Sequence, residues 1–586
     1  MENKLVLKKN TVVKSIFLLA IMILVIAGYS LFRGDIGMFS AFSESAPVFF
    51  FEDITSSSGL DAHLHPPVYN ENPSYLEIMG GGVAVGDIVG DGFDDIFFAT
   101  MPSFNPDASR EYRSALYRNM GNGTFEDITA EVGLDNIRGY PMGALFFDFN
   151  NNGRQDLYVA AYDGGQLFEN RGGYFVDVTE AAGLSLEGIC GEIPCMAAAP
   201  SATDYNKSGY LDLLVVNNVS WDIKNEFGYG LPALLPFNYK AQSVILFRNN
   251  GDGTFSNVSE ESGVTNLDKL GHGNDGKGLS AVWTDVNNNG WSDVYIANDT
   301  TPSRLYVNNQ DGTFRDISIA ANLAEFKSSM GIETADFNNN GLLDLITTNL
   351  EGEMVSLFRN YGHFRYDHVT TSTGLIPSGW GSGWGILFAD LDFDGHQDLV
   401  IANGALLEAI HKEKENENIF FRNDGNGRFS NVSDEVVQFS NNEFSRGMAL
   451  IDIKNDGKLD IVISNINGSK PQLLINKTEN GNNRIRLDLE GMISNRDAVG
   501  ARVYVEREDG LIMNQIVKAG NSYQSTSSKS LFFGLGKAGI SELRIQWPSG
   551  RTDIFSDVPA NRILHIIEAA DDDEKSTLDI QKFNEM

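Results

Sequence analysis

Cysteine is almost absent. The chain of 586 residues has two, Cys190 and Cys195, both in the stretch CGEIPC. Two thiols alone do not build a metal cluster, and in an exported chain this spacing favours a local disulfide. Positive charge is also scarce: 44 Lys and Arg against 79 Asp and Glu give a formal charge of −35. Phosphates would be repelled, which argues against nucleic acid and against a peripheral role on anionic lipid. Histidine is limited to 8 scattered residues, and the weak His63/His65 pair reads as an ordinary loop. There is no G-x-S-x-G elbow, no H-E-x-x-H pair and no glycine-rich strand-to-helix phosphate loop, so no nucleophile or zinc-hydrolase signature is visible. Only one apolar run is long, residues 15–32, preceded by Lys4, Lys8, Lys9 and Lys14. Lysines before such a run keep the start in the cytoplasm and send the rest across the membrane, through either a cleaved signal or an anchor near spanning length. Gly28 and Ser30 offer a weak cleavage site.

Glycine is plentiful, with 60 residues, and strand-type runs dominate, which points to an all-β chain with many turns. One phrase recurs seven times: DIVGDGFDD at Asp87, DFNNNGRQD at Asp148, DYNKSGYLD at Asp204, DVNNNGWSD at Asp285, DFNNNGLLD at Asp336, DLDFDGHQD at Asp390 and DIKNDGKLD at Asp452. Most spacings match one propeller blade or array unit, and the longer gap after Asp204 marks an insertion near Trp221–Tyr239. A second phrase travels with the first, as FEDITSSSGL at Phe51 and FEDITAEVGL at Phe125, often after a hairpin such as LYRNMGNGTF. Asn-Gly supplies the tight turn. Each unit therefore reads strand, aspartate loop, strand, hairpin, strand, as in a four-stranded antiparallel sheet. One Phe-x-Asp phrase precedes the first aspartate loop and none follows the last. In a ring, the N-terminal FFFEDIT completes the sheet begun after Asp452 and protects the strand edges; an open solenoid is the competing architecture.

The aspartate loop has its own chemistry. Positions 1, 3 and 5 converge on one point when the backbone curls, and Gly at position 6 permits the turn. A carbonyl near position 7 and Asp at position 9 complete an oxygen cage of the kind Ca²⁺ takes; Mg²⁺ demands stricter geometry. Short polar residues also make plain turns, but seven copies with Asp at both ends favour structural calcium. The expected ligands are Asp87, Asp91 and Asp95; Asp148, Asn150, Asn152 and Asp156; Asp204, Asn206, Ser208 and Asp212; Asp285, Asn287, Asn289 and Asp293; Asp336, Asn338, Asn340 and Asp344; Asp390, Asp392, Asp394 and Asp398; and Asp452, Asp456 and Asp460. The sixth loop, with four carboxylates, should bind tightest. Val89 and Lys454 occupy position 3 of the first and last loops, which are expected to be empty or completed by water.

On these motifs, with YLEIMGGGVAVGD (75–87), SSMGIETADFNNNGLLDL (328–345), SNRDAVGARV (494–503), LFFGLG (531–536) and IQWPSGR (545–551), the chain resembles the FG-GAP/VCBS repeat proteins. The match is closer to one branch, their cartilage-acidic-protein-like group with a C-terminal ASPIC/UnbV domain. The resemblance implies a seven-bladed β-propeller like the integrin α head. The expected organisation is a signal or anchor (1–32), a linker (33–47), the propeller (48–480), a small β-sandwich-like ASPIC/UnbV domain (481–569) and a solvated, mobile acidic tail (570–586). Relatives often carry cysteines in the insertion after SWD; here it has none, and apolar and aromatic residues are expected to hold it.

In propellers of the integrin type the aspartate loops lie below and partners bind above. The resemblance then implies that Glu77, Tyr140, Lys277, Trp380 and Arg446 start the innermost strands and ring the upper mouth, with His63, His65, Trp221, His272 and Asp275 on nearby loops. A Glu77–Arg446 pair closing the ring is the competing reading, and Trp380 and Trp384 are more often core. The expected function is an exported binding or adhesion module, on the periplasmic or extracellular side, for a protein or glycan. The membrane is a partner only if the N-terminus stays uncleaved. The alternative is a lyase, hydrolase or cyclase with its site at the channel mouth, where Glu77 could do acid–base work.

Overall fold

The computed structural model describes residues 49–68, 74–108, 112–223, 236–266, 276–406, 417–436, 443–571 and 573–584. The apolar N-terminal run and its linker lie outside these. Among the described residues no helix is long and apolar enough to cross a membrane.

Seven four-stranded antiparallel sheets succeed one another along the chain. Their innermost strands are Val83–Gly86, Tyr140–Phe147, Ala197–Thr203, Gly278–Thr284, Ile332–Ala335, Gly383–Ala389 and Phe444–Ile451, and the sheets are numbered I to VII in that order. Neighbouring innermost strands touch in sequence order, and that of sheet VII touches that of sheet I, so the ring closes. This is propeller architecture. The second strand of every sheet opens on a ninth-position aspartate, such as Asp95, Asp156 and Asp460. Each aspartate loop therefore joins the first strand to the second at one end of the ring. In sheets I to VI a glycine-containing hairpin joins the third to the fourth.

Sheet VII is completed from the other end of the chain. Phe51–Asp53 pairs antiparallel with Gln472–Asn476, Phe51 opposite Asn476, as the order of the two phrases implies. Phe51 is wholly buried and packs edge-on against Phe420 of sheet VI, with Phe49 against the same ring. Truncating a buried aromatic costs about 3–5 kcal/mol. Phe51→Ala is therefore expected to destabilise the protein by that amount in urea unfolding, although it lies in a strand of only 3 residues.

After the ring come two more four-stranded sheets. One is ordered Leu531–Gly536, Asn483–Glu490, Arg562–Ile567, Thr577–Lys582; the other Ile512–Ile516, Arg502–Arg507, Ile540–Gln546, Thr552–Phe555. Ile485, Leu487, Val503, Val505, Leu543, Ile545, Leu564 and Ile566 are buried in a shared core, which makes the small two-sheet domain that alternation predicts. The tail departs from expectation. Thr577–Lys582 is an edge strand on Arg562–Ile567, because Leu578 and Ile580 keep a two-residue alternation beyond the acidic DDDEK.

The second domain reaches into the first. Between Ile512–Ile516 and Leu531–Gly536 the chain enters the ring. Ala202 of sheet III donates to the Ala519 carbonyl at 2.9 Å, and Ile332 of sheet V exchanges two bonds with Ser522, at 3.0 and 2.7 Å. Ile386 of sheet VI donates to Ser522 Oγ (3.0 Å), and Gln524 donates its amide to Ser280 Oγ of sheet IV (3.4 Å). Ala144 of sheet II donates to the Gln524 carbonyl, Val85 of sheet I to that of Thr526, and Ser528 donates to the Leu450 carbonyl of sheet VII. Residues 519–528 are thus bonded to the innermost strand of every sheet and plug the channel. The ring makes room with glycine: a Cβ on Gly82 would stand 2.2 Å from the Gln524 carbonyl oxygen.

Candidate metal loops and the channel mouth

In each loop the first aspartate folds the turn around itself. Asp148 accepts from the amides of Asn152 (3.0 Å) and Gly153 (2.7 Å). Asp336 does the same with Asn340 and Gly341, and Asp390 with Asp394 and Gly395. The position-6 glycine is left-handed, with φ of 79° at Gly153 and 85° at Gly341, which explains its place in the phrase. The ninth aspartate accepts from the position-2 amide, as Asp156 does from Phe149. In the sixth loop, carboxylate oxygens of Asp390, Asp392 and Asp398 lie within 4.8 Å of one another, all buried.

One set of residues escaped the sequence reading. The asparagine ending each third strand is Asn119, Asn170, Asn249, Asn308, Asn360, Asn423 or Asn476. Its main-chain N–H donates to the ninth aspartate, at 2.7–2.9 Å in every sheet. Its side-chain amide donates to the position-2 carbonyl of the preceding sheet: Asn170 to Ile88, Asn249 to Phe149, Asn476 to Leu391 and, across the seam, Asn119 to Ile453. These bonds stitch the loops into a belt. The signal was present in the sequence, as the Asn of LYRN, LFEN and LFRN, but it read as part of the hairpin.

Do these residues fit a hard cation? Two carboxylates, at positions 1 and 9, are held side by side with little water. Burial pushes Asp156 and Asp293 up to about 8, and the carboxylates of Asp148 and Asp285 add to it against the opposing amide bonds. Asp398 and Asp460 are also raised well above the usual carboxylate range, by burial and by neighbouring carboxylates. Charge held at such cost calls for a counter-ion. The buried Oδ1 of Asn338, at position 3 of the fifth loop, has no hydrogen-bond partner among the described residues, an oxygen of the type calcium ligates. The donor sets of loops two to six fit. Loop one fits poorly: Val89 is at position 3, and Asp91 is paired with Arg118 at 2.8 Å near the surface. In loop six, Arg422 pairs with Asp392 (2.9 Å) and Asp394 (3.4 Å), offsetting part of the charge.

A pH dependence follows. An ion-free ninth-position aspartate binds its proton more tightly folded than unfolded, because its folded value lies near 8 for Asp156 and its unfolded value near about 3.9. The folded state is then favoured at low pH, and this contribution is lost as pH rises from about 4 towards 8. In excess chelator, melting temperature is expected to rise as pH falls from 8 to 5.5. With millimolar calcium, protons compete with the ion and the slope should flatten or reverse. Differential scanning fluorimetry across the two series measures both.

At the upper mouth the expected cluster is largely interior. Glu77 does not start a strand. It lies in the one-turn helix Tyr75–Ile78, where Ser74 donates its amide to the Glu77 carboxylate at 2.8 Å. Arg446 is 1% exposed and donates to the carbonyls of Ile78, Ser445 and Ala405. Its guanidinium lies 3.8 Å over the Trp384 ring, and Tyr523 at the tip of the plug meets the same ring edge-on. Trp384 is core, as expected. Lys277 is buried and donates to the Pro236 carbonyl (2.8 Å), and Tyr140 stacks on Phe104. His63 and His65 bond to hydroxyls of Thr100 and Ser464, and burial pushes His65 down to about 3. Trp221 is buried against Tyr162, and Tyr239 packs on Tyr75, so aromatic packing anchors both ends of the insertion. His272, Asp275 and the side chain of Trp380 lie outside the described residues. Cys190 and Cys195 form the disulfide.

A ring of like sheets with an acidic turn in each defines a repeat propeller, and sequence comparison gives its family. The chain belongs to the FG-GAP-like repeat family, whose profile matches residues 87–159, 148–215, 285–347, 336–401 and 409–463. Residues 491–573 match the ASPIC and UnbV family. Among curated relatives, cartilage acidic protein 1 of Xenopus tropicalis is 23% identical over 532 residues, covering 87% of this chain and 76% of its own. The Homo sapiens protein of that name is 23% identical over 535 residues, covering 87% and 74%. Among solved structures, an Agrocybe aegerita lectin that recognises non-reducing terminal N-acetylglucosamine aligns over 68% of this chain and 94% of its own, with 15% identity and a TM-score of 0.36. A BBS1N–ARL6DN complex aligns over 71% of this chain and 98% of its own, with 10% identity and a TM-score of 0.37.

Proposed function

We propose that the protein is an exported, calcium-stabilised propeller that serves as a binding module for a protein or glycan outside the cytoplasm. Calcium in loops two to six is structural in this reading: it neutralises paired buried carboxylates and fixes the turns. The ring then presents a rigid outer surface. The observation that supports a binding role most directly is the filled channel. Propeller enzymes work in a cavity at the channel mouth. Here that space is occupied by Tyr523 and by the cluster of Tyr75, Leu76, Met142, Met196, Leu279, Met330 and Trp384 around it. This reading therefore places a partner on the outer surface. One open cleft, of about 560 Å³, lies beside the disulfide loop between Arg138, Asp163, Gln166, Glu180 and Glu192, and it offers polar recognition groups.

The test uses residues 49–586, immobilised and presented with a glycan array and an extracellular-protein library, with and without calcium. Saturable, calcium-dependent retention is expected, without turnover. Turnover of a small substrate or glycoside that Glu77→Gln abolishes would replace this reading with the enzymatic one.

A further inference from the structure

Loop seven does not fit the pattern of the others, and its surroundings say why. Lys454 stands at position 3, where an ammonium cannot ligate a cation. From the second domain, strand Asn483–Glu490 extends Arg486 towards the loop. Its Nη1 donates to Asp452 Oδ2 at 3.3 Å and to Asn455 Oδ1 at 2.5 Å, and its Nε donates to Asp488 at 3.0 Å. Asp452 is wholly buried and Arg486 nearly so. The neighbouring Arg484 donates to the Asp456 carbonyl at 2.7 Å. The tail closes the remaining side: Asn584 donates its amide to the Asn455 carbonyl and its side chain to that of Lys454. The Phe583 ring sits where a Cβ on Gly457 would fall, 2.2 Å away. In loops five and six the domain also touches the first aspartate, but through neutral donors, Asn514 to Asp336 and the Gly534 amide to Asp390. Among the described residues, loop seven alone receives a full positive charge on its position-1 carboxylate.

We infer that the Arg486 guanidinium is the resident cation of loop seven, standing where the other loops take a metal ion, and that it locks the second domain onto the sheet that closes the ring. Arg486 also faces the seam. Asp94 of loop one is buried, its Oδ2 has no hydrogen-bond partner among the described residues, and it shares the field of Arg486. Asn455, held by Arg486, donates its side-chain amide to the Gly92 carbonyl of loop one at 2.8 Å, so one charge links the second domain to the last sheet and, through Asn455, to the first. This clamp adds to the closure that Phe51–Asp53 gives sheet VII. The inference rests on the reading that loops two to six take calcium.

The test has two arms. In excess chelator, a double-mutant cycle compares Arg486→Gln, Asp452→Asn and both together by urea unfolding of residues 49–586. Removing one partner of a buried pair leaves the other uncompensated, so Arg486→Gln should raise the unfolding constant roughly 10²–10³-fold. The double variant should recover at least tenfold, and Arg486→Lys should lose less than Arg486→Gln. In calcium, bound ions per chain are counted by elemental mass spectrometry. Wild type and Lys454→Asn should carry the same number, and Lys454→Asn/Arg486→Gln should carry one more. Additive single effects in chelator, or an anomalous-scattering peak for calcium in wild-type loop seven, overturns the inference. If no loop of the wild type binds calcium, the reading of loops two to six falls, while the chelator arm still decides the role of Arg486.

Discussion

Removing divalent cations from residues 49–586 is expected to lower the melting temperature by about 15 °C or more, and returning millimolar calcium should restore it. A ligand present at a hundred times its dissociation constant stabilises by about 2.7 kcal/mol per site. Loops two to six each hold a buried ninth-position carboxylate whose protonation is favoured without an ion, beside the aspartate at position 1. Several such sites sum to roughly 10 kcal/mol or more, a large part of the stability of any domain. The effect should be cooperative, because the asparagine belt ties each loop to the carbonyl of the one before it. A loop that loosens slackens its neighbour. Asp390→Asn is expected to lose one ion and part of this gain, while Asp91→Asn in loop one should change neither. Calorimetry with and without chelator measures the first, elemental analysis the second. Unchanged melting in chelator would remove the cation from the account of the fold.

Evicting the plug is expected to be nearly as costly. Tyr523 is wholly buried, and truncating a buried aromatic side chain costs about 3–5 kcal/mol. Tyr523→Ala should therefore lower stability by that amount while leaving the backbone bonds of the plug in place. Gly82→Val is the harsher change. Its first side-chain atom would stand 2.2 Å from the Gln524 carbonyl and 2.7 Å from that of Met142, so the plug and the ring cannot both keep their positions. Hydrogen exchange distinguishes the two variants. The amides of Val85, Ala202 and Ile332 donate to the plug, and in Gly82→Val they should exchange at least tenfold faster. In Tyr523→Ala they should stay protected. Protection retained in Gly82→Val would mean that the plug is not what shields those strands.

Much of this was legible because the repeat exposes it. Seven copies of one phrase reveal the loops, and the order of two phrases reveals which sheet the chain's start must complete. What stayed hidden has no periodicity of its own. AGNSYQSTSS reads as an ordinary polar turn, since its partners lie on seven separate strands, nearly all of them main-chain groups, and no local pattern records them. Arg486 sits in RIRLDLEG, where alternation marks it as facing away from its own domain's core. Only the docked domain turns that outward face into a salt bridge with Asp452. Glu77 and Arg446 misled for the opposite reason. Charged residues near a channel mouth suggest a ligand site, yet one caps a helical turn and the other is satisfied by carbonyls and an indole ring.

The closing sheet also sets a timetable for synthesis. Phe50 donates its amide to Thr478 across 428 residues of chain, so the first strand emerges long before its partner exists. At about 5–20 residues per second, the apolar segment Phe49–Phe51 waits roughly twenty to ninety seconds on the ribosome. Through that interval its apolar side chains and strand edge are unpaired, the condition in which nascent chains are prone to mispair.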